Sequence, residues 1–348
     1  MITANRSSTQ PASTCASIST RPDGAPRWQQ LWREAVTDPV ELLQMLGLDD
    51  YMSRVLLDRD TGFPLRVPRG FVARMGYGDP RDPLLLQVLP QLAELQVVPG
   101  FVDDAVGDLA ARAAPGVLQK YRGRALLVAT GSCAIHCRYC FRRHFPYAEE
   151  TAASQHWHAA LEALRTDSSL DEAILSGGDP LSLSDAKLAE FGTALNAIPH
   201  VRRLRIHTRL PIVLPERIDH GFCHWLSQQC QQKIIVLHAN HAQEIDASVI
   251  QACRRLTDCG VLLLNQSVLL RGINDNVIAL QELSERLLEA GAMPYYLHQL
   301  DRVSGTAHFE VDDSVANRLI EELRARVSGY LVPRLVREIT GATAKTPL

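Results

Sequence analysis

Six short apolar segments alternate with helix-like segments from Ala125 towards the C-terminus. The apolar segments cover residues 125–130, 172–176, 203–207, 233–238, 261–266 and 294–299. Helical spacing of apolar residues occurs near 154–166, 184–197, 216–230, 244–258, 275–290 and 313–328. Strands that are apolar on both faces are typical of a parallel sheet covered by helices. The pattern predicts an α/β fold, a partial (β/α)6 barrel open on one side, with a doubly wound open sheet as the alternative.

The remaining segments flank this predicted barrel. Residues 1–25 are rich in Ser and Thr and lack an apolar stretch, so we interpret them as a disordered tail rather than a secretory signal. Residues 26–120 carry helix-spaced apolar residues and predict an N-terminal helical region with loops. We place the barrel at 121–300 and a final helix with a closing segment at 301–348.

Charge and composition exclude several classes of protein. The formal net charge of −3 gives no electrostatic reason to expect binding to nucleic acid or to an anionic membrane. No apolar run approaches the roughly 18 residues that a membrane-spanning helix needs. The eight cysteines in 348 residues are too sparse for a disulfide scaffold. We therefore expect a cytoplasmic protein in a reducing environment.

Polar residues follow the predicted strands at their carboxyl ends. They are the cysteine run from Cys133, the turn at 176–180, the segments 207–209 and 238–241, Gln266, and His298 with Asp301. In barrels of this kind, catalytic groups collect where the strands end and the following loops begin. The pattern therefore predicts one functional site at one rim of the barrel.

The cysteine run after the first predicted strand has the spacing C-x3-C-x2-C, formed by Cys133, Cys137 and Cys140. A [4Fe-4S] cluster normally takes four thiolates, so three would leave one iron open to a small molecule. The same logic separates catalytic zinc sites, which keep a free position, from closed structural ones. Two alternatives are a zinc site completed by His136 or His144, and a set of unrelated reduced thiols.

Two further motifs have both a structural and a functional interpretation. Gly177 and Gly178 lack a Cβ, so the backbone there can approach a ligand closely, although a tight turn before an Asp-Pro helix start is the alternative. Lys345 lies among small residues near the C-terminus. Such a lysine is usually a solvated tail residue, but a lysine that binds pyridoxal phosphate (PLP) covalently also needs small neighbours.

These motifs resemble those of the radical S-adenosylmethionine (SAM) lysine 2,3-aminomutases. The resemblance extends from about Leu65 to the C-terminus and is carried by residues 121–124, 133–143, 176–181, 238–241, 264–275, 294–296, 301 and 345–347. The short length and residues 65–69, 140–147 and 328–333 are most similar to one bacterial branch of the family. That branch supplies β-lysine for the modification of elongation factor P.

The resemblance implies a role for each matching residue. Cys133, Cys137 and Cys140 would hold the cluster, and Gly177, Gly178, Asp179, His238 and Gln266 would line the SAM site. Lys345 would bind PLP covalently, with Tyr121, Arg124 and Lys120 near its phosphate. Arg142 would pair with the substrate carboxylate, and Asp301 and Glu338 would hold the distal ammonium of lysine.

The implied activity is that of an isomerase, a PLP-dependent radical SAM aminomutase that converts L-α-lysine to β-lysine. The resemblance points to free lysine as the substrate, to an electron donor such as flavodoxin, and to elongation factor P and its lysyl ligase as functional partners; it allows a homo-oligomer. A related aminomutase acting on glutamate is one alternative, although two acids at 301 and 338 favour lysine. A zinc-binding structural or interaction protein is an alternative of a different class.

Two departures from the family pattern affect these expectations. Many stand-alone lysine 2,3-aminomutases have aspartate seven residues before the PLP lysine, whereas Glu338 stands here, with a reach about one methylene longer. The same enzymes carry a zinc site that uses a C-terminal extension. This chain ends at Leu348, and Asn276 stands near the place of one zinc cysteine, so we predict no zinc.

Overall fold

The computed structural model describes residues 26–55, 63–155 and 157–348, so the tail predicted at residues 1–25 lies outside the described part. Ten strands of that part join into one sheet in the order of the sequence. The strands are Arg112–Ala114 (β1), Val117–Leu118 (β2), Arg124–Thr130 (β3), Glu172–Gly177 (β4), Arg203–Thr208 (β5), Gln232–His238 (β6), Leu262–Val268 (β7), Met293–His298 (β8), Arg334–Arg337 (β9) and Thr346–Pro347 (β10). Strands β3 to β9 are parallel, whereas β1, β2 and β10 pair antiparallel with their neighbours.

Helices connect the parallel strands. The helices are Arg27–Arg33 (α1), Pro39–Met45 (α2), Arg69–Val72 (α3), Pro83–Leu86 (α4), His158–Thr166 (α5), Asp185–Asn196 (α6), Leu210–Val213 (α7), His220–Ser227 (α8), Ala247–Asp258 (α9), Val277–Glu289 (α10) and Asp313–Arg324 (α11). At least one helix lies between each pair of consecutive strands from β3 to β9. The helical segments predicted from apolar spacing correspond to α5, α6 and α8 to α11.

The strand order decides between the two predicted architectures. A doubly wound sheet reverses the direction in which strands are added, so its strands are not in sequence order. Here each parallel strand lies beside the next one in the chain, and right-handed crossovers therefore place the helices on one side of a curving sheet. No pairing joins β1 to β10 within the described residues, so the barrel stays open. The prediction of an α/β partial barrel is confirmed.

Buried apolar strands and capped helices stabilise the barrel. The strand residues Leu127, Leu175, Ile206, Leu237 and Leu263 are each at most 1% exposed and belong to the main core. Removing such apolar area from water contributes roughly 25 cal/mol per Å². Helices α6 and α8 to α11 begin at residues whose side chains accept a backbone N–H of the first turn: Ser184, Asp219, Asp246, Asn276 and Asp312. Asn276, considered above in connection with zinc, thus caps α10.

The sheet extends beyond the six predicted strands at both edges. Strands β1 and β2 lie within the predicted helical region 26–120, where a turn at Gly116 with φ of +70° joins them. Strands β9 and β10 lie within the closing segment 301–348, and Thr346 pairs with Arg337. This last pairing folds the C-terminus back onto the barrel and brings Lys345 to Glu338.

The described chain has no disulfide, since all the described cysteines are free. No helix among the described residues is both long and apolar enough to cross a membrane.

Candidate active site

The cysteine loop follows β3 and is held by the N-terminal region. The amide of His136 donates to the carbonyl of Arg66 at 3.0 Å, and the amide of Arg138 donates to the carbonyl of Gln87 at 2.8 Å. The Arg138 side chain is fully buried and pairs with Glu94. The N-terminal region therefore shapes the loop that carries the three cysteines.

The three thiols are partly buried and influence one another electrostatically. Burial raises the pKa of Cys140 to about 11 and, together with Asp179, raises the pKa of Cys133. Cys137 accepts a hydrogen bond from Nη1 of Arg209 at 2.7 Å. A metal bound by Cys133 and Cys140 would therefore have to displace their protons.

No group of three His, Cys, Asp or Glu side chains in the described ranges is arranged to hold a single metal ion. The thiolates of a four-iron cluster each bind a different iron, whereas the ligands of a zinc ion converge on one point. The three sulfurs thus provide soft donors, as a cluster requires, without the convergence of a single-ion site.

Gly177 and Gly178 pack against the cysteine loop. Gly177 has a φ of +123°, and a Cβ there would lie 2.6 Å from the carbonyl oxygen of Thr130. A Cβ on Gly178 would lie 2.5 Å from the carbonyl oxygen of Ser132. The amide of Gly178 donates to Thr130 at 2.7 Å. The two glycines are therefore required for contact between the end of β4 and the loop that begins with Cys133.

We expect the Gly178→Ala variant to bind less iron and to cleave SAM at least about 10-fold more slowly. Its Cβ would push the backbone of Ser132, and overpacking of this kind costs typically 1–3 kcal/mol. Iron content and 5′-deoxyadenosine formation measure the effect. Gly70→Ala is the matched control, since a Cβ on Gly70 would meet nothing within 4 Å. Equal iron content and cleavage in both variants would contradict this account of the glycine pair.

Asp179 is committed to hydrogen bonds inside the protein. Its Oδ1 accepts from the amide of Leu181 and the hydroxyl of Thr208, and its Oδ2 accepts from the amides of Arg209 and Leu210. Burial nevertheless raises its pKa to about 6. Asp179 thus joins the loops after β4 and β5, and its predicted contact with SAM stays a prediction.

Three histidines lie towards the carboxyl ends of β5, β6 and β8, where His207 and His238 are partly buried and His298 is buried. His238 and Gln266 occupy paired positions on β6 and β7, and their side chains are 3.0 Å apart from Nε2 to Nε2. Burial lowers the pKa of His238 to about 3 and lowers those of His207 and His298 as well. The Nε2 atoms of His207 and His298 have no hydrogen-bond partner in the described structure. Unpartnered buried nitrogens of this kind favour a polar ligand inside the barrel.

Lys345 lies in an ionic cluster at the closing segment. Its Nζ is 2.9 Å from Oε2 of Glu338, and Tyr121 donates its hydroxyl to Oε1 of Glu338 at 2.7 Å. Lys120 also approaches Glu338, at 3.5 Å. Although burial alone would raise it, the pKa of Glu338 is lowered by Lys345, Tyr121 and Lys120. The ring of Tyr296 lies 5.7 Å below the Lys345 ammonium.

Asp108 connects this cluster to Arg142. Its carboxylate is 2.7 Å from Nζ of Lys120 and 2.6 Å from Nε of Arg142. Nη1 of Arg142 also donates to the hydroxyl of Ser176 at 3.0 Å, whereas Nη2 makes no hydrogen bond to described residues. The Nη2 side of the Arg142 fork is therefore left for a ligand.

Asp301 follows β8 and differs from the other acids of the site. The described residues form no hydrogen bond or ion pair with its carboxylate, and burial raises its pKa to about 7. The nearby Lys345 ammonium lowers this value but does not offset the burial. A buried carboxylate without a partner is stabilised when a cation arrives.

The predicted residues thus fall into two connected groups. The first group surrounds the cysteine loop and contains Cys133, Cys137, Cys140, Gly177, Gly178 and Asp179. The second surrounds the closing segment and contains Lys120, Tyr121, Arg142, Asp301, Glu338 and Lys345. Arg124 lies 4.7 Å over the ring of Tyr121, at the amino end of β3. His238 and Gln266 occupy paired positions on β6 and β7, and the pKa of His238 is lowered by burial and then by the charges of Arg209, Arg142 and Lys345.

Comparison with known proteins gives matches over nearly the whole chain. L-lysine 2,3-aminomutase from Escherichia coli strain K12 is 50% identical over 323 residues, which is 92% of this chain and 94% of that protein. The L-lysine 2,3-aminomutase from Haemophilus influenzae is 44% identical over 321 residues, again 92% of this chain and 94% of that protein. The chain belongs to the radical SAM L-lysine 2,3-aminomutase family.

A more distant relative agrees with this family assignment, whereas the comparisons with family models and solved structures do not bear on it. L-lysine 2,3-aminomutase from Clostridium subterminale is 36% identical over 271 residues, 78% of this chain and 65% of that protein. No protein-family model matches the chain. A solved radical SAM methyltransferase from Sphaerobacter thermophilus covers 65% of this chain with a TM-score of 0.45 and 18% identity, too distant to bear on the family.

As a lysine 2,3-aminomutase family member, the chain is an isomerase, and the family implies a [4Fe-4S] cluster and SAM. The residues on the cysteine loop fit the cluster, because three partly buried soft donors lie on one loop. The unpartnered Nε2 atoms of His207 and His298 are consistent with a polar ligand in the barrel. Both observations agree with the family.

Sequence reasoning missed the parts played by Asp108 and Arg209. Asp108 lies in an irregular segment before β1, and its partners Lys120 and Arg142 give no local pattern that would mark it. Arg209 directly follows β5, so the sequence predicts its position at the rim of the barrel. Its contact with Cys137, 72 residues away in the chain, could not be predicted from the sequence.

Proposed function

We propose that this chain converts L-α-lysine to β-lysine, with PLP bound covalently at Lys345. The observation that carries the proposal is Asp301, a partly buried carboxylate that forms no hydrogen bond or ion pair with the described residues and whose pKa is raised by burial and lowered by Lys345. A substrate with a distal ammonium would supply the missing cation, and its α-carboxylate would find Nη2 of Arg142. The two ends of lysine thus meet opposite charges.

The cofactors would be held by the two groups of residues described above. Cys133, Cys137 and Cys140 would hold the cluster, and Gly177, Gly178, Asp179, His238 and Gln266 would line the SAM site. Lys345 would hold PLP, with Tyr121, Arg124 and Lys120 near its phosphate. When bound, the cluster and SAM supply a deoxyadenosyl radical, and PLP supplies an electron sink that delocalises a substrate radical.

The chain's own residues would bind and orient the substrate. Asp108 holds the Nε edge of Arg142, so the guanidinium plane is fixed before a carboxylate arrives. Glu338 holds the Lys345 ammonium, and it keeps Tyr121 and Lys120 as partners. Fixing reacting groups in advance in this way lowers the entropic cost of the reaction.

The alternative glutamate substrate fits this site less well. Its distal carboxylate would meet Asp301 and Glu338, and like charges at close range in a buried site are strongly unfavourable. A zinc-binding structural protein is the alternative of a different class. Colour separates it from the proposed function, because a cluster-bearing sample is brown and a zinc protein is colourless.

We expect Asp301→Asn to lower kcat/KM for lysine about 10²- to 10³-fold. Removal of one member of a buried charge pair costs about 2–5 kcal/mol. Steady-state kinetics with lysine test this, and SAM binding should not change. Asp103→Asn is the matched control, because Asp103 is an exposed acid that approaches only His144, at 3.8 Å, among the described residues. Equal lysine kinetics in both variants would contradict the role of Asp301 and with it the case for lysine over glutamate.

The pKa of Asp301 also gives the proposed activity a pH dependence. Since this pKa is about 7 in the free protein, the carboxylate is mostly protonated below pH 7 and cannot pair with an ammonium. We expect KM for lysine to rise as the pH falls through about 7, and Asp301→Asn to lose this dependence. A flat KM between pH 6 and 8 in the parent protein would contradict the prediction.

We further propose that the β-lysine serves elongation factor P, with free lysine as substrate and a lysyl ligase as the next enzyme. The resemblance of residues 65–69, 140–147 and 328–333 to the elongation factor P branch supports this. A flavodoxin-like electron donor, a cytoplasmic location, a homo-oligomer and the absence of zinc stay predictions. Expression in a strain without its own aminomutase, followed by mass spectrometry of elongation factor P, tests the link.

A further inference from the structure

Arg209 lies directly behind the cysteine loop. It is the first residue after β5, it is 5% exposed, and its Nη1 donates to the sulfur of Cys137 at 2.7 Å. Within the described structure, the Arg209 guanidinium is a charged group in direct contact with Cys137, one of the predicted cluster ligands. A cation in hydrogen-bond contact with a cysteine sulfur acts on the charge that the sulfur carries.

A buried network fixes this guanidinium. Its Nη2 donates to Oε2 of Glu244 at 2.9 Å and to Oε1 of Gln87 at 2.7 Å, and its Nη1 also donates to the hydroxyl of Tyr139. Glu244 is fully buried, and its other oxygen accepts from the amide of Asn240 at 2.8 Å. The network joins the N-terminal region, the cysteine loop and the loop after β6, so the position of Arg209 is strongly determined.

We propose that Arg209 is a positioning residue that holds Cys137 for cluster binding and raises the reduction potential of the cluster. Reduction adds negative charge to the cluster and its thiolates, and an N–H donor or a cation at a sulfur stabilises that added charge. The proposal rests on Cys137 as a cluster ligand and not on lysine as the substrate.

Glu244 opposes this effect without cancelling it. Arg209 donates directly to the sulfur, whereas Glu244 lies on the far side of the guanidinium, 2.9 Å from Nη2. Because an electrostatic interaction falls with distance, the nearer cation dominates at Cys137. Neutralising the two residues one at a time should therefore move the potential in opposite directions.

The test is a redox titration of the reconstituted cluster, monitored by electron paramagnetic resonance in the absence of SAM and lysine. We expect Arg209→Gln to lower the midpoint potential of the cluster by about 59 mV. For a one-electron couple, this shift changes the ratio of reduced to oxidised cluster about tenfold at a fixed applied potential. We expect Glu244→Gln to raise the midpoint, since it removes the negative charge and keeps a hydrogen-bond acceptor. Arg205→Gln is the matched control, a partly buried arginine on β5 that pairs with Glu172 at 3.0 Å and should leave the potential unchanged.

An unchanged or raised potential in Arg209→Gln overturns the proposal, as does a shift of the same sign in the Arg209 and Glu244 variants. If Arg209→Gln does not assemble a cluster, Glu244→Gln and the charge-keeping Arg209→Lys decide instead. A raised potential in Glu244→Gln, with the potential of Arg209→Lys close to that of the parent, supports the proposal, and an unchanged potential in Glu244→Gln overturns it.

A parent protein that binds no cluster refutes both this inference and the proposed cofactor, whereas a parent with a normal cluster and no activity on lysine refutes only the proposed function.

Discussion

Replacement of Cys137 by alanine is expected to reduce SAM cleavage by more than about 10³-fold, and the same holds for Cys133 and Cys140. The loop offers three partly buried thiols, and all three are needed if a four-iron cluster is to be held with a single iron left open for SAM. The variants should bind less iron and lose the brown colour of the parent. Iron analysis, visible absorption and anaerobic formation of 5′-deoxyadenosine measure this.

Cys230→Ala is the matched control for these variants. Cys230 is an exposed free thiol just before β6, outside the cysteine loop. Its loss should leave iron content and SAM cleavage at the level of the parent. Full SAM cleavage by any one of the three loop variants would show that its cysteine is not a cluster ligand.

Replacement of Lys345 by alanine is expected to abolish the conversion of lysine, with a loss of more than about 10³-fold, because Lys120, the other amine near Glu338, is 3.5 Å from it and is paired with Asp108. The cluster should still assemble, since Lys345 does not contact the cysteine loop. Borohydride reduction of the PLP-loaded parent, followed by mass spectrometry, should find the pyridoxyl group on Lys345.

Two further variants separate charge from covalent chemistry at this position. Lys345→Arg keeps a cation beside Glu338 but cannot bind PLP covalently, so it should be as inactive as Lys345→Ala. Lys187→Ala changes an exposed lysine on α6 and should behave as the parent. Activity of Lys345→Arg near the parent level, or pyridoxyl label on another lysine, would contradict the assignment of Lys345.

The barrel strands were predictable because each carries buried apolar residues, consecutively in β4 and at alternate positions in β5. The apolar segments at 172–176 and 203–207 correspond to β4, Glu172–Gly177, and β5, Arg203–Thr208, within one residue at each end. A continuous apolar run such as Ala173–Leu175 in β4 is typical of a central parallel strand, whereas β5 alternates buried apolar residues with Arg203, Arg205 and His207. The order of the strands then follows from the short connections, since neighbours in sequence become neighbours in the sheet.

The edge strands lack such a pattern and were not predicted. Strand β2 has two residues, Val117–Leu118, and β10 has two, Thr346–Pro347. Segments this short give no periodicity, and their pairing depends on the neighbouring strand rather than on their own residues. The consequence is large at β10, because its pairing with β9 places Lys345 beside Glu338.

In the site, spacing and resemblance identified residues but not their partners. Glu338 was expected to hold the distal ammonium of lysine, and the structure pairs it with Lys345, Lys120 and Tyr121. Asp179 was expected beside SAM, and its oxygens accept hydrogen bonds from the loops after β4 and β5. Contacts of this kind join segments far apart in the chain, so a local motif cannot specify them.

The most direct test is the reaction itself, carried out without oxygen. The protein is reconstituted with iron, sulfide and PLP, then given SAM, dithionite and L-lysine, and the amino acids are separated by chromatography. We predict that β-lysine appears, and that glutamate in place of lysine gives no β-amino acid. SAM cleavage without β-lysine would contradict lysine as the substrate, and a cluster-loaded protein that neither cleaves SAM nor forms β-lysine would contradict the whole account.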